Sequence, residues 1–402
     1  MKNVAKCLLA GLLAVSMQWA EAATPYAPVP VQKARATKIY AHLMPWFESR
    51  EYSGYWGQHW TMSNKNPDVI EAGDRRQIAA YYYPLTGPYA SADPDLVEYQ
   101  LLLMKLSGID GVLIDWPGTT NLYDYPRNKS NSEAVINKLP QVGLSFGIIY
   151  EDQNIRIAHE AGAIQDRIGQ ARADMSYLRD NYFNRSNYIR HNNRPWLGVF
   201  GPQTFQNAND WNTIFSVFSN APCFITLWYE SGEAPQTCVG EYSWIYQDGN
   251  PHINHLTNFY NNRPPFNFKM GSVYPGFNAF YAAGGWGGNP FYIAANGSGT
   301  FRQTLDLALN SNVGHIQLAT WNDYGEGTMI EPTREFGYSL LTYLQERLGV
   351  NYRQPELELV HDLYKQRKQY KGNAAQQDRL TQAFYYLVSL QIGNARNELN
   401  RR

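Results

Sequence analysis

The chain has 402 residues, enough for one large barrel or two mid-sized domains around an ample core. Its net charge is −1 and only 17% of residues are charged, which argues against a polyanion partner such as nucleic acid, because that binding needs concentrated Lys and Arg. Aromatic residues reach 14%, with 30 Tyr and 11 Trp. Such flat amphipathic rings suit stacking on sugars while their polar edges meet hydroxyls.

Residues 1–22 begin with Lys2 and Lys6, run through the apolar stretch 8–15, and close on Ala20-Glu21-Ala22, a small-x-small cleavage pattern. The apolar run is too short to span a bilayer, so the segment reads as a secretory signal. No other run is long enough to cross a membrane. The expected mature protein is soluble, monomeric and exported, to the periplasm or beyond the cell. Residues 23–36 contain three prolines and read as an extended linker. With Cys7 inside the signal, Cys223 and Cys238 remain; an even pair in an exported chain favours a disulfide, two buried thiols being the alternative. Two cysteines without a histidine at ligand spacing give no zinc signature, and no metal or other cofactor is expected.

The body, 37–349, alternates short apolar runs with helical patterns. Strands are expected at 37–44, 111–116, 145–151, 195–200, 223–229, 243–247, 269–274 and 315–322, several without polar alternation, as strands buried on both faces should be. Asp93-Pro94-Asp95 supplies a cap, a first-turn proline and a first-turn acid for a helix that Gly108 ends. Thr300-x-x-Gln303 reads as a capping box before a second helical pattern. Eight strands alternating with helices predict an α/β fold, a (β/α)8 TIM barrel, irregular between strands five and seven. A doubly wound open sheet is the runner-up, but there is no Gly-rich phosphate loop to support it.

In such a barrel the chemistry gathers where strands end at the carboxyl face. The first strand brings Tyr40, His42 and Trp46, followed by a long loop with Trp56, His59 and Trp60. Strand two delivers Asp115 and Trp116, strand three Glu151, strand five Glu230 and strand seven Tyr274. The glycine-rich run around Trp286 reads as a lid, a subsite platform or a plain linker. His42 alone is more often hydrogen-bonded structure than a metal ligand.

The last strand starts at His315 and leads into Trp321-Asn322-Asp323-Tyr324-Gly325-Glu326, then Gly327 to Pro332. A proline after Glu331 suits the first turn of a following helix, with Glu331 a favourable charge near its N-terminus. Asp323 and Glu326 lie three residues apart on this loop. Glycosidic cleavage needs such a pair, one acid to protonate the leaving oxygen and another to take a proton from water or sugar, or to attack. Close carboxylates also push their proton affinities apart. A bare D-x-x-E is common in turns; here Trp321, Tyr324 and two glycines accompany it.

At these residues the chain resembles two related glycosidase families. Trp321-Asn322-Asp323-Tyr324-Gly325-Glu326 is similar to the W-N-D-Y-G-E motif of glycoside hydrolase family 71, the α-1,3-glucanases. Gly327-Thr328-Met329-Ile330-Glu331-Pro332 is similar to the tail of the family 99 motif N-E-W-H-E-G-T-x-I-E-P, found in endo-acting α-1,2-mannosidases and mannanases. The combination resembles the family 71/99-like group of exported bacterial proteins, over about Lys38 to Gly349. The resemblance implies a barrel and puts Asp323 and Glu326 at the two catalytic acids, with Asp where family 99 has Glu. It implies a sugar contact for Glu151, and inversion (family 71) or retention through the sugar's 2-hydroxyl (family 99).

After Gly349 the pattern changes to a helical pair, over 350–402, expected to pack on the barrel. The expected function is therefore an exported glycoside hydrolase acting on an α-linked polysaccharide or oligosaccharide, an α-glucan or α-mannan. Its expected substrate contacts are Tyr40, His42, Trp46, Trp56, Asp115, Trp116, Glu151, Glu230, Tyr274, Trp286, Trp321, Asn322 and Tyr324. The rivals are a glycan-binding barrel that no longer cleaves, and a metal-dependent carbohydrate deacetylase using His42.

Overall fold

The computed structural model describes residues 23–235, 238–262, 268–288, 290–311 and 313–401; the expected signal, 1–22, lies outside them. Eight strands form the core: β1 (Lys38–Leu43), β2 (Gly111–Trp116), β3 (Ser145–Tyr150), β4 (Arg194–Val199), β5 (Cys223–Leu227), β6 (Cys238–Tyr242), β7 (Phe268–Val273) and β8 (His315–Leu318). Each is parallel to the next, and β8 returns to β1 through the register Lys38↔His315 to Ala41↔Leu318. This closed barrel leaves no unpaired edge, and it is the (β/α)8 fold.

Helices wrap it: α1 (Pro94–Leu106), α2 (Tyr125–Val142), α3 (Gln153–Glu160), α4 (Arg167–Asn181), α5 (Ala208–Phe215), α6 (His252–Asn262), α7 (Gly299–Asn310) and α8 (Ser339–Leu348). Among the described residues the β5–β6 connection holds only a 3-10 turn, Ser231–Glu233, so the irregularity falls in the expected region. The α1 start is as read: Asp93 accepts from the Asp95 amide, and Pro94 occupies the first turn, where its missing N–H costs nothing.

Several expectations need correction. The sixth strand is Cys238–Tyr242, not 243–247. Its Glu241 defeats an apolar reading, yet that carboxylate is buried and accepts from the Tyr229 and Ser231 amides. Gly240 admits the neighbouring backbone, since a Cβ there would lie 1.7 Å from the Phe268 carbonyl oxygen. Thr300 is no cap: α7 begins at Gly299 after Ser298, and the Thr300 hydroxyl donates to the Ala294 carbonyl. Pro332 starts no helix either. Residues 331–338 make turns and bridges, and α8 begins at Ser339.

Cys223 and Cys238 are free thiols here. The register sets Phe224, not Cys223, opposite Cys238, and successive residues of a strand face opposite ways. The tail holds three helices rather than a pair: α9 (Gln354–Gln369), α10 (Ala374–Val388) and α11 (Ile392–Asn400). Leu390, at φ +63°, breaks the second from the third. Arg367 of α9 pairs with Glu98 of α1 at 3.1 Å, and Lys368 pairs with the α1 cap Asp93.

Strand alternation decides what enters the barrel. In β2, Asp115 turns inward while Trp116 turns outward onto Tyr177 and Tyr182. In β3, Tyr150 turns outward and donates to Asp174, leaving Glu151 for the interior mouth. Each large apolar side chain buried this way stabilises the fold by about 1.5–3 kcal/mol. Beneath the mouth lies a polar layer. Gln317 donates to Ser272 Oγ and the Ser243 carbonyl, both at 2.9 Å, and turns its oxygen to His42 Nδ1 at 3.2 Å.

Candidate active site

At the carboxyl end of the strands a cavity of ≈450 Å³ opens. Its residues come from nearly every strand end: His42 near the end of β1 and Trp46 beyond it, Asp115 near the end of β2 and Pro117 beyond it, Glu151 after β3, Phe200 after β4, Trp244 after β6, and Asp323 and Glu326 after β8. Five carboxyl groups line it, counting Asp124, and no Lys or Arg among the described residues joins them.

The loop after β8 is fixed by its own hydrogen bonds. The Asp323 amide donates to Thr320 Oγ1 at 2.7 Å, and Thr328 N donates back to the Asp323 carbonyl at 3.1 Å. Asp323 Oδ1 accepts from the Glu326 amide at 2.9 Å. Gly325 keeps the turn tight, since a Cβ there would press on Tyr281 at 3.1 Å and on Asp323 Oδ1 at 3.3 Å. From outside, the Asn278 and Phe280 amides clamp the Glu326 and Gly325 carbonyls at 2.7 and 2.8 Å.

Burial without a countercharge raises the proton affinity of four of these acids, all but Asp124. Asp323 is pushed up to about 6 by burial, opposed by the amides of Glu326 and Gly325 and by nearby His59. Glu326 is held well above the usual carboxylate range, first by burial and then by the charges of Asp323 and Glu151. The charge of Asp323 thus holds the proton on Glu326 more firmly. Asp115 is also well above its ordinary value, first through burial and then through the neighbouring Glu151. Glu151 is raised to about 7 by burial, with Gln153 and Asp115 opposing. Asp115 is 7% exposed, and its Oδ1 has no protein donor.

His42 is neutral, its imidazole lowered to about 4 by burial. The Gln317 amide assigns its proton to Nδ1 and leaves Nε2 as an acceptor. Among the described residues no three His, Cys, Asp or Glu side chains are arranged to hold a metal ion. Aromatic rings form the walls. Trp46 stacks on His59 at 4.3 Å and 8°. His59 Nε2 lies 3.4 Å from Asp124, whose carboxyl is lowered by His59, Gln58 and Asn128 against the opposing effect of burial. Trp286 is 41% exposed and lies parallel to Tyr281 at the rim.

The structure brings together His42, Trp46, Asp115, Glu151, Trp286, Asp323 and Glu326, and puts the other expected contacts elsewhere. Tyr40 lies at the opposite end of the barrel, lining a cavity with Lys38 and Asp110. Trp56 stays in the long loop, bonded to Asp68. Trp116 faces the outer helices. Glu230 sits by Glu233 outside the cavity, and Tyr274 is buried with its hydroxyl on His252. Trp321, Asn322 and Tyr324 are buried behind the loop rather than in the cavity. Glu331 is no helix N-terminal charge; it is buried among them.

Sequence reading missed Trp244, which packs on His42 and Phe200 and went unseen because the sixth strand was placed too late. It also left Asp124 and Tyr281 unassigned; nothing local marks a pair such as His59 and Asp124, 65 positions apart.

The chain is a (β/α)8 barrel whose carboxylate-lined mouth lies at the carboxyl ends of its strands, the end at which such barrels carry their active sites. No protein-family model and no curated protein matches the sequence. Two structures of the GH99 endo-alpha-mannosidase from Bacteroides thetaiotaomicron, one in complex with BIS-TRIS-Propane, share its fold. Each is 17% identical, with a TM-score of 0.57, covering 90% of this chain and 99% of that one. A glycoside hydrolase-like protein gives a TM-score of 0.54 at 14% identity, covering 80% of this chain and 97% of that one. At these identities the likeness is one of fold.

Proposed function

We propose that the protein is an exported glycoside hydrolase that cleaves an α-linked glucan or mannan with Glu326 and Asp323. One observation carries the reading: two carboxyl groups three residues apart face one aromatic-walled cavity, and their surroundings split their proton affinities. Glu326, protonated, gives its proton to the leaving glycosidic oxygen as the C1–O bond breaks. Asp323, ionised, takes a proton from the attacking group. If that group is water, the anomeric centre inverts; if it is the sugar's own 2-hydroxyl, a cyclic intermediate forms and opening by water gives net retention. Trp46, Trp244 and Trp286 offer faces for sugar rings, and Asp115 Oδ1 awaits a hydroxyl donor. The structural likeness to family 99 supports a glycan as the substrate.

The test is a panel of α-glucans and α-mannans, with new reducing ends counted and product configuration read by NMR. Cleavage should be lost in Glu326→Gln and Asp323→Asn. Wild-type rates in either variant would remove these assignments, and binding without cleavage by the unaltered protein would make it a glycan-binding barrel. Detection of the protein outside the cytoplasm, lacking residues 1–22, checks export.

A further inference from the structure

Behind the reactive loop a second carboxylate is surrounded by donors. Glu331 is 3% exposed. Its Oε1 accepts from the Tyr89 hydroxyl at 2.5 Å and its Oε2 from Gln100 Nε2 at 2.8 Å. The Tyr324 hydroxyl and the Trp321 indole N–H lie beside the same group and are without a hydrogen-bond partner of their own. Burial lifts its carboxyl to about 7, and these four donors hold it down.

The contacts form one connected chain. The Tyr89 hydroxyl donates to Glu331 and accepts from Asn322 Nδ2 at 3.2 Å. Asn322 in turn grips both backbone groups of Met44, accepting from its amide at 2.8 Å and donating to its carbonyl at 2.9 Å. Gln100 belongs to α1, Tyr89 to the long loop, and Met44 follows β1. The loop is also tied to Glu331 along the backbone, whose amide donates to the Trp321 carbonyl at 3.0 Å. Two residues flanking Asp323, namely Asn322 and Tyr324, therefore face this network, while Asp323 and Glu326 face the cavity.

We propose that Glu331 is a positioning residue, the buried acceptor that gathers Tyr89, Gln100, Trp321 and Tyr324 and thereby fixes where the loop presents Asp323 and Glu326. Its catalytic consequence rests on the glycosidase reading above; its structural consequence does not. Against an apolar group the Tyr89 hydroxyl and the Gln100 amide would lose the acceptor they now bond, and the loop that Asn322 ties to Tyr89 would shift to satisfy them. Glutamine keeps the shape and one acceptor, and Gln100 can turn its amide over to meet the new N–H.

The experiment uses Glu331→Ala, Glu331→Gln and Tyr89→Phe in the full mature chain. Hydrogen exchange is followed at the amides of 321–330, and kcat and KM are measured on whichever glycan the wild type cleaves. In Glu331→Ala the loop amides should exchange at least about tenfold faster while the barrel strands stay protected. Its kcat should fall about 10²-fold, the scale of a 1 Å misplacement, with KM within a few-fold. Tyr89→Phe should move both readouts the same way, and combining it with Glu331→Ala should add little. Glu331→Gln should recover most of kcat. Unchanged loop exchange in folded Glu331→Ala and Tyr89→Phe would overturn the proposal, whatever the activity. If the wild type cleaves no glycan yet the variants loosen the loop, the positioning role stands and the glycosidase reading falls.

Discussion

The two ends of this barrel each hold a cavity, and they treat charge in opposite ways. The one at the amino ends of the strands, ≈340 Å³, is lined by Lys33, Lys38, Lys105, Arg190 and Asp110. There Asp110 accepts from Lys33, Lys38 and the Ile39 amide. Lys105 donates to the Val29 and Val142 carbonyls, the latter at the negative end of α2, and Arg190 donates to the Phe183 and Asn193 carbonyls. These contacts fasten the N-terminal segment under the barrel. At the carboxyl end, by contrast, like charges face one another with no Lys or Arg among the described lining residues. Opposite charges brought together stabilise a fold; like charges held together destabilise it and are kept where their shifted proton affinities serve chemistry. That contrast, rather than cavity size, supports the carboxyl end as the place of the proposed reaction.

The largest expected effect tests the contrast directly. Glu326→Gln and Asp323→Asn should lower turnover by about 10²–10⁴-fold, the usual contribution of a general acid or base. Glu326→Gln should melt no lower than wild type, because it removes a repelled carboxyl. At the other end Asp110→Asn should do the reverse, costing about 2 kcal/mol in urea unfolding, less than a fully buried pair because Asp110 is partly exposed, with turnover per folded molecule unchanged.

Stability against pH separates the two ends again. Asp323, Glu151 and Glu331 are raised to about 6, 7 and 7, so the folded state holds protons that the unfolded chain has released. Their contribution is fully present below about pH 4 and is lost as pH climbs through 7. Lys33 and Lys105 are lowered by burial, Lys105 to about 8, so the unfolded chain binds more protons there and stability should rise with pH from 8 upward. A melting-temperature profile should therefore fall and then rise, and Glu331→Gln should flatten only the falling part. Activity should show an acidic limb near pH 6 as Asp323 protonates. The smallest effect is expected at the rim, where Trp286→Ala should raise KM about tenfold or less, the scale of one lost ring contact, with kcat little changed.

Much of this was legible in the chain itself. Apolar runs without polar alternation, such as 111–114, suit strands buried on both faces, and eight candidate strands alternating with helices pointed to a parallel barrel. Asp93-Pro94-Asp95 marked a helix start because capping is local chemistry. Asp323 and Glu326 stood out because their spacing and their loop are written in consecutive residues. Long-range pairing was not written there. Strand β6 depends on the approach of the Phe268 backbone to Gly240, and Glu241 inside it is tolerated only because distant amides satisfy it.

The sequence by itself determined most of the strands and helices and marked the loop of Asp323 and Glu326, since hydrophobic period, capping and short motifs act between near neighbours. Only the tertiary structure decided which way each strand-end residue faces. Asp115 enters the cavity while Trp116 leaves it, and Trp321, Asn322 and Tyr324 turn back toward Glu331 rather than toward the cavity. A strand's alternation is fixed by register with its neighbours, and a buried carboxylate's partners are fixed by packing between segments far apart in the chain; neither quantity is a property of a local stretch.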